Sequence, residues 1–248
     1  MRRARNRLIK RAMWEVRYNT RLVFFDRQGT LLQPLLDWDE GRFFPRWLYG
    51  VNGVVRLTNP ETFTEFSVGP KSASAGTENL DPTGDLGRFE ARVIEFLERV
   101  GSVLEVPQFN RVGKRLQYII ETRETSETFA EALSRQLTGL ASFSDTVDAC
   151  RGEDISLIWV SATDLGKFRW TVGPLALREF PGWFASSTPR EGAPTEIRRF
   201  FPQVSLLVDV DASKQTGMQT SDLRSFLELS FQYVDSQVLA LASRIQET

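Results

Sequence analysis

Histidine does not occur anywhere in this 248-residue chain. That single absence removes imidazole acid–base catalysis, Ser-His-Asp and Cys-His nucleophile activation, and every His-ligated metal site. Cysteine occurs once, so neither an internal disulfide nor a cysteine-cluster zinc site can form. Cys150 stands in Asp148-Ala149-Cys150-Arg151-Gly152, which reads as a loop carrying an inert small residue. No apolar run of about 18 residues is long enough to cross a bilayer, and no apolar core follows the basic start as in a secretory leader. The expected location is therefore the cytoplasm, with no membrane partner. The small-residue stretch Lys71 to Thr77 resembles a phosphate-cradling loop but lacks the order Gly-x-x-x-x-Gly-Lys-Ser/Thr, and it is read as part of a loop from Lys71 to Gly84. No cofactor is expected.

What is present is an ordinary globular composition, 41% hydrophobic and 25% charged, enough for one large domain or two packed halves. Aromatics are plentiful, with 18 Phe and 6 Trp. Charge is nearly balanced overall and uneven along the chain. Residues 1 to 27 hold nine basic residues against Glu15 and Asp26, an excess of seven, so with a total of -1 the remainder carries -8. Residues 1–12 are read as a basic arm, 13–141 as a first α+β half and 142–248 as a second.

The clearest organisation runs from Asp85 to Arg123. Leu86, Phe89, Val93, Phe96, Leu97 and Val100 fall at helical spacing, with Asp85 as a candidate N-cap and Gly101 as a candidate stop. After Pro107 the period becomes two. Val112, Leu116, Tyr118 and Ile120 share one strand face, and Arg111, Arg115, Gln117, Glu121 and Arg123 the other. Met13 to Phe25 alternates and predicts one strand or two. Val51 to Thr58 and Thr62 to Val68, joined by Asn59-Pro60-Glu61, predict a hairpin. Ser126, Phe129, Ala130, Leu133 and Leu137 predict a second helix, and Ala185 to Thr195 a loop. Ile155 to Val160, apolar on both faces, predicts a buried central strand. Lys167 to Phe180 alternates again. Val204 to Asp211 predicts a strand, and Thr220 or Ser221 then caps a long helix striped by Leu223, Phe226, Leu227, Val234, Val238, Leu241 and Ile245. The pattern is α+β, with antiparallel or mixed sheets and three main helices.

Four groups of residues are candidates for function. Arg2, Arg3, Arg5, Arg7, Lys10 and Arg11 lack interleaved aromatics, and so predict backbone-only attraction to a polyanion or an acidic partner; removing residues 1 to 11 should flatten its salt dependence without unfolding the rest. Arg111 and Arg115 flank Gly113 and could clamp phosphate or carboxylate, or pair with acids on a neighbouring strand. Asp209 and Asp211, at i and i+2 on one strand face, have the spacing of a divalent-metal carboxylate pair. Phe43, Phe44, Trp47 and Tyr49 form an aromatic-dense segment suited to core or interface packing.

The segment Phe109-Asn110-Arg111-Val112-Gly113-Lys114-Arg115-Leu116-Gln117-Tyr118-Ile119, together with Leu206-Leu207-Val208-Asp209-Val210-Asp211 and the helix after it, resembles a sporadically distributed family of uncharacterised bacterial proteins of about this length. There the first segment reads Arg-x-Gly-x-Arg-Tyr-x-Asn, matched here by Arg111, Gly113 and Arg115. The patchy distribution implies an accessory role in a defence or mobile-element system. The expected function is a non-enzymatic interaction module that works in a homo- or hetero-oligomer, with itself or another protein as partner. The alternatives are a nucleic-acid binder using the arm with Arg111 and Arg115, and a metal-dependent enzyme on nucleotides using Asp209 and Asp211.

Overall fold

The computed structural model describes residues 7–50, 52–80, 85–121, 157–176 and 204–246. Nine strands and three helices are built from them. The strands are β1 (Arg7–Arg17), β2 (Arg46–Tyr49), β3 (Val55–Asn59), β4 (Thr64–Val68), β5 (Ser72–Leu80), β6 (Gln108–Glu121), β7 (Leu157–Thr163), β8 (Gly166–Ala176) and β9 (Val204–Gln219). The helices are α1 (Val23–Leu36), α2 (Asp85–Val103) and α3 (Leu223–Gln246). All the strands join one antiparallel sheet in the order β2-β3-β4-β5-β1-β6-β9-β8-β7. The α+β class read from the sequence is the one observed.

Alternation decides which face each side chain takes. Trp14, Val16, Leu116, Tyr118, Val208, Val210, Phe168 and Val172 turn to one side and are buried there. Onto that side pack α2, through Phe89 against Trp14, and α3, through Tyr233 against Phe168; α1 stands beside α2. Beneath α2 an aromatic cluster joins Phe44, Phe66 and Phe96, with ring centroids 4.9 and 4.8 Å apart. Burying one such ring contributes about 1.5–3 kcal/mol, so the cluster anchors β4 and the chain just before β2 to α2.

Four readings are corrected. The alternation from Met13 to Phe25 is strand only as far as Arg17, because Phe24, Leu31 and Leu35 recur at helical spacing and bury one face of α1. The expected loop from Lys71 is β5, whose Ala73 and Ala75 are buried; small side chains let this strand lie in mid-sheet under the rings of its neighbours. The expected arm loses Arg7 to Ala12 to β1, which lies between β5 and β6, so Arg7, Lys10 and Arg11 are strand residues. The expected central strand Ile155 to Val160 gives β7, which lies at the edge of the sheet that the described residues form. Apolar residues on both faces therefore fit an edge position as well as a central one. The readings at Arg2, Arg3 and Arg5, the helix from Ser126, Cys150 and the loop 185–195 lie outside the described residues.

Candidate functional site: the open face and the edges of the sheet

The face turned away from the helices is a grid of polar side chains, and the strand register gives its rows. Ser72, Arg17, Arg111 and Gln215 form the first row across β5, β1, β6 and β9. Ser74, Glu15, Gly113, Ser213 and Lys167 form the second, reaching β8. Gly76, Met13, Arg115, Asp211 and Arg169 form the third, and Glu78, Arg11, Gln117, Asp209 and Thr171 the fourth.

Ion pairs run diagonally between rows. Arg111 donates to Glu15 at 2.7 Å and reaches Asp211 at 3.8 Å. Arg115 makes a forked pair with Asp209, its Nε at 2.9 Å and its Nη2 at 2.5 Å, and Gln117 adds a third donor at 3.0 Å. This pairing raises the Arg115 pKa further above its ordinary value. The Arg-x-Gly-x-Arg spacing now has a physical reason. A Cβ on Gly113 would come within 3.2 Å of the Arg111 guanidinium, so glycine leaves the space in which that group lies flat on the strand. Asp209 and Asp211 therefore serve as counterions to arginines. A divalent ion there would have to displace Arg115, and among the described residues no cluster of three or more acidic or thiol side chains could hold one.

Lys10 does not project into solvent as an arm residue would. It occupies the irregularity in β1 between Ile9 and Arg11 and is 3% exposed. Burial pushes its pKa down to about 8, against the opposing pull of Glu78.

Lys114 was passed over in the sequence, although its parity places it among Val112, Leu116 and Tyr118 on the apolar side. Its ammonium lies buried between sheet and helices, donating to Glu90 and to the Leu227 carbonyl at 3.3 Å. The Phe231 ring stands 4.5 Å away and the Trp14 indole donates to Glu90 at 3.3 Å. Desolvation lowers the Lys114 pKa to about 8 even with Glu90 in contact.

The aromatic segment divides. Phe44 is 3% exposed and Phe43 packs beside it at 4.6 Å, so these two are core. Trp47 and Tyr49, on β2, are 62% and 54% exposed, as is Leu48 at 62%. At the opposite edge, β7 exposes Ile158, Trp159 and Val160 in succession, with Trp159 stacked on Trp170 at 5.7 Å. No described helix is long and apolar enough to cross a membrane. Compared with known proteins, the chain matches no family model and no characterised protein at a significant level.

Proposed function

We propose that this chain is a non-enzymatic interaction module that assembles with itself or another protein through the edges of its sheet. The observation that carries this reading is that, among the described residues, both edge strands present three consecutive large apolar residues to solvent, Trp47-Leu48-Tyr49 on β2 and Ile158-Trp159-Val160 on β7. Natural proteins protect a sheet edge with charge, proline or cover, because its unpaired backbone groups template another strand. β7 carries no charge from Leu157 to Thr163. An added strand would gain main-chain hydrogen bonds there and apolar contact on both faces. The resemblance to the sporadically distributed bacterial family suggests the setting, an accessory role in a defence or mobile-element system.

The test is the solution mass by light scattering, with a pull-down from the source cell if the protein alone is monomeric. We expect an assembly that Val160→Lys dissolves, because an ammonium on an edge strand blocks further pairing while its own side chain stays in solvent. A monomer that captures no partner, or an assembly indifferent to substitutions in both β2 and β7, would overturn the reading.

A further inference from the structure

The first row of the open face is arranged unfavourably for a protein with no ligand. Arg17 and Arg111 sit directly opposite each other on β1 and β6, and like charges in register across a strand pair are destabilising. Glu15 lies between them, at 2.5 Å from Arg17 and 2.7 Å from Arg111, and Asp211 reaches Arg111 at 3.8 Å, so Arg17 has only a shared carboxylate. Lys71, immediately before Ser72 in this row, is exposed, and its ammonium makes no hydrogen bond or ion pair among the described residues. Arg17, Arg111 and Lys71, with Asn110 and Gln215, line an open basin of about 620 Å³, and Glu15 lies outside its wall. Lys167, at the end of the second row on β8, likewise makes no ion pair among the described residues and adds a further cation to this face.

The chemistry of the basin selects its ligand. It offers two guanidiniums, an ammonium and side-chain amides, which suit phosphate oxygens. It offers no aromatic face for a base, because Tyr18 is 3% exposed and its hydroxyl donates to the Gly69 carbonyl at 2.7 Å. Arg17 and Arg111 stand on adjacent strands about 4.8 Å apart and Lys71 stands just before the row's Ser72 on β5, so three cations succeed one another across the sheet, as phosphates do along a chain. We propose that this line holds the sugar–phosphate backbone of a nucleic acid without reading its sequence, by neutralising phosphates and releasing counterions. The site is separate from the sheet edges and does not depend on assembly through them.

The experiment is fluorescence anisotropy of the full chain with a labelled 20-nucleotide oligothymidine and a mixed-sequence oligomer of equal length, titrated with salt from 50 mM. Both oligomers should bind alike. Arg17→Ala with Lys71→Ala should weaken binding at least tenfold and lower the log–log salt slope by about 1.4, the share of two phosphates on a single strand. Both side chains point to solvent, and the single exposed variant Lys71→Glu should weaken binding in the same direction with the thermal melt unchanged. Arg224→Ala, on α3, should change nothing. Absence of binding by the intact chain at 50 mM salt would overturn the proposal. So would variants that bind like the wild type, which would locate the affinity in residues 1 to 6. Equal competition by polyglutamate would assign the basin to acidic protein, and equal competition by ATP at matched phosphate concentration to small phosphates; either result overturns the polymer.

Discussion

Lys114 and Glu90 are the pair whose removal is most informative, since a buried charge is tolerated only while its partner is present. Glu90→Gln leaves the ammonium among Trp14, Phe231 and Leu227 without the carboxylate it touches, with only the weaker pull of Asp235 and Glu228, and should cost about 3–5 kcal/mol in urea unfolding. Replacing both, with Lys114→Met and Glu90→Leu, should cost far less, because apolar residues of similar volume leave no charge unpaired and only the neutral Trp14 indole N–H loses its acceptor. The pH dependence has a defined sign. Lys10 and Lys114 have folded pKa values near 8, below the ordinary lysine value of about 10.4, so between those limits the unfolded chain binds more protons and stability rises with pH. Above about pH 10 the buried Tyr18 phenol, whose pKa is raised by desolvation, acts in the opposite direction because only the unfolded chain ionises it readily. Urea melts from pH 7.5 to 9.5 should show the rise, and Lys114→Met should flatten it.

At the scale of elements, α2 ends in a way that a glycine would improve. Glu105 takes the left-handed conformation at φ 54°, while Val106 N–H bonds the Gly101 carbonyl at 2.8 Å and Glu105 N–H the Ser102 carbonyl at 3.2 Å. This is the Schellman arrangement with glutamate where glycine is usual. Glu105→Gly should relieve about 1 kcal/mol of backbone cost and forfeit only an exposed pair with Arg27, a gain of a few degrees in melting temperature. Gly101, the expected stop, lies inside the last turn of α2, and Thr220 is what requires glycine there, since an added Cβ would meet Thr220 Cγ2 at 2.5 Å. The sequence placed α2, β6, β8, β9, α3 and the β3–β4 hairpin correctly because each carries large apolar residues at a single period. It lost β5, whose Ala73, Ala75 and Gly76 give no hydrophobic signal, and it blurred β1 into α1 because Leu22 and Phe24 continue the strand parity by coincidence. Arg111 and Arg115 were legible as one face of one strand. Their carboxylates were not, since Glu15 and Asp209 lie on β1 and β9 and only the register brings them into reach.

Across the whole molecule, the sheet is centred on chain segments that lie far apart in sequence. β1 is flanked by β5 and β6, so deleting residues 1 to 11 removes the first half of a central strand, including the buried Ile9 and Lys10. That deletion should abolish the cooperative melt followed by circular dichroism, contrary to the expectation that it trims an appendage. The same placement has a kinetic consequence. Arg17 pairs with Ser72 and Arg7 with Ile120, so β1 gains neither neighbour until much more of the chain has been made, and β6 then waits for β9. Loops of that length must close before their contacts reward them, which favours refolding in milliseconds to seconds and leaves strand edges bare in the meantime. During synthesis, the segment that becomes the middle of the sheet is therefore the one that spends longest as an unpaired strand, and a chaperone that binds extended apolar chain has its longest opportunity at Leu8 to Val16.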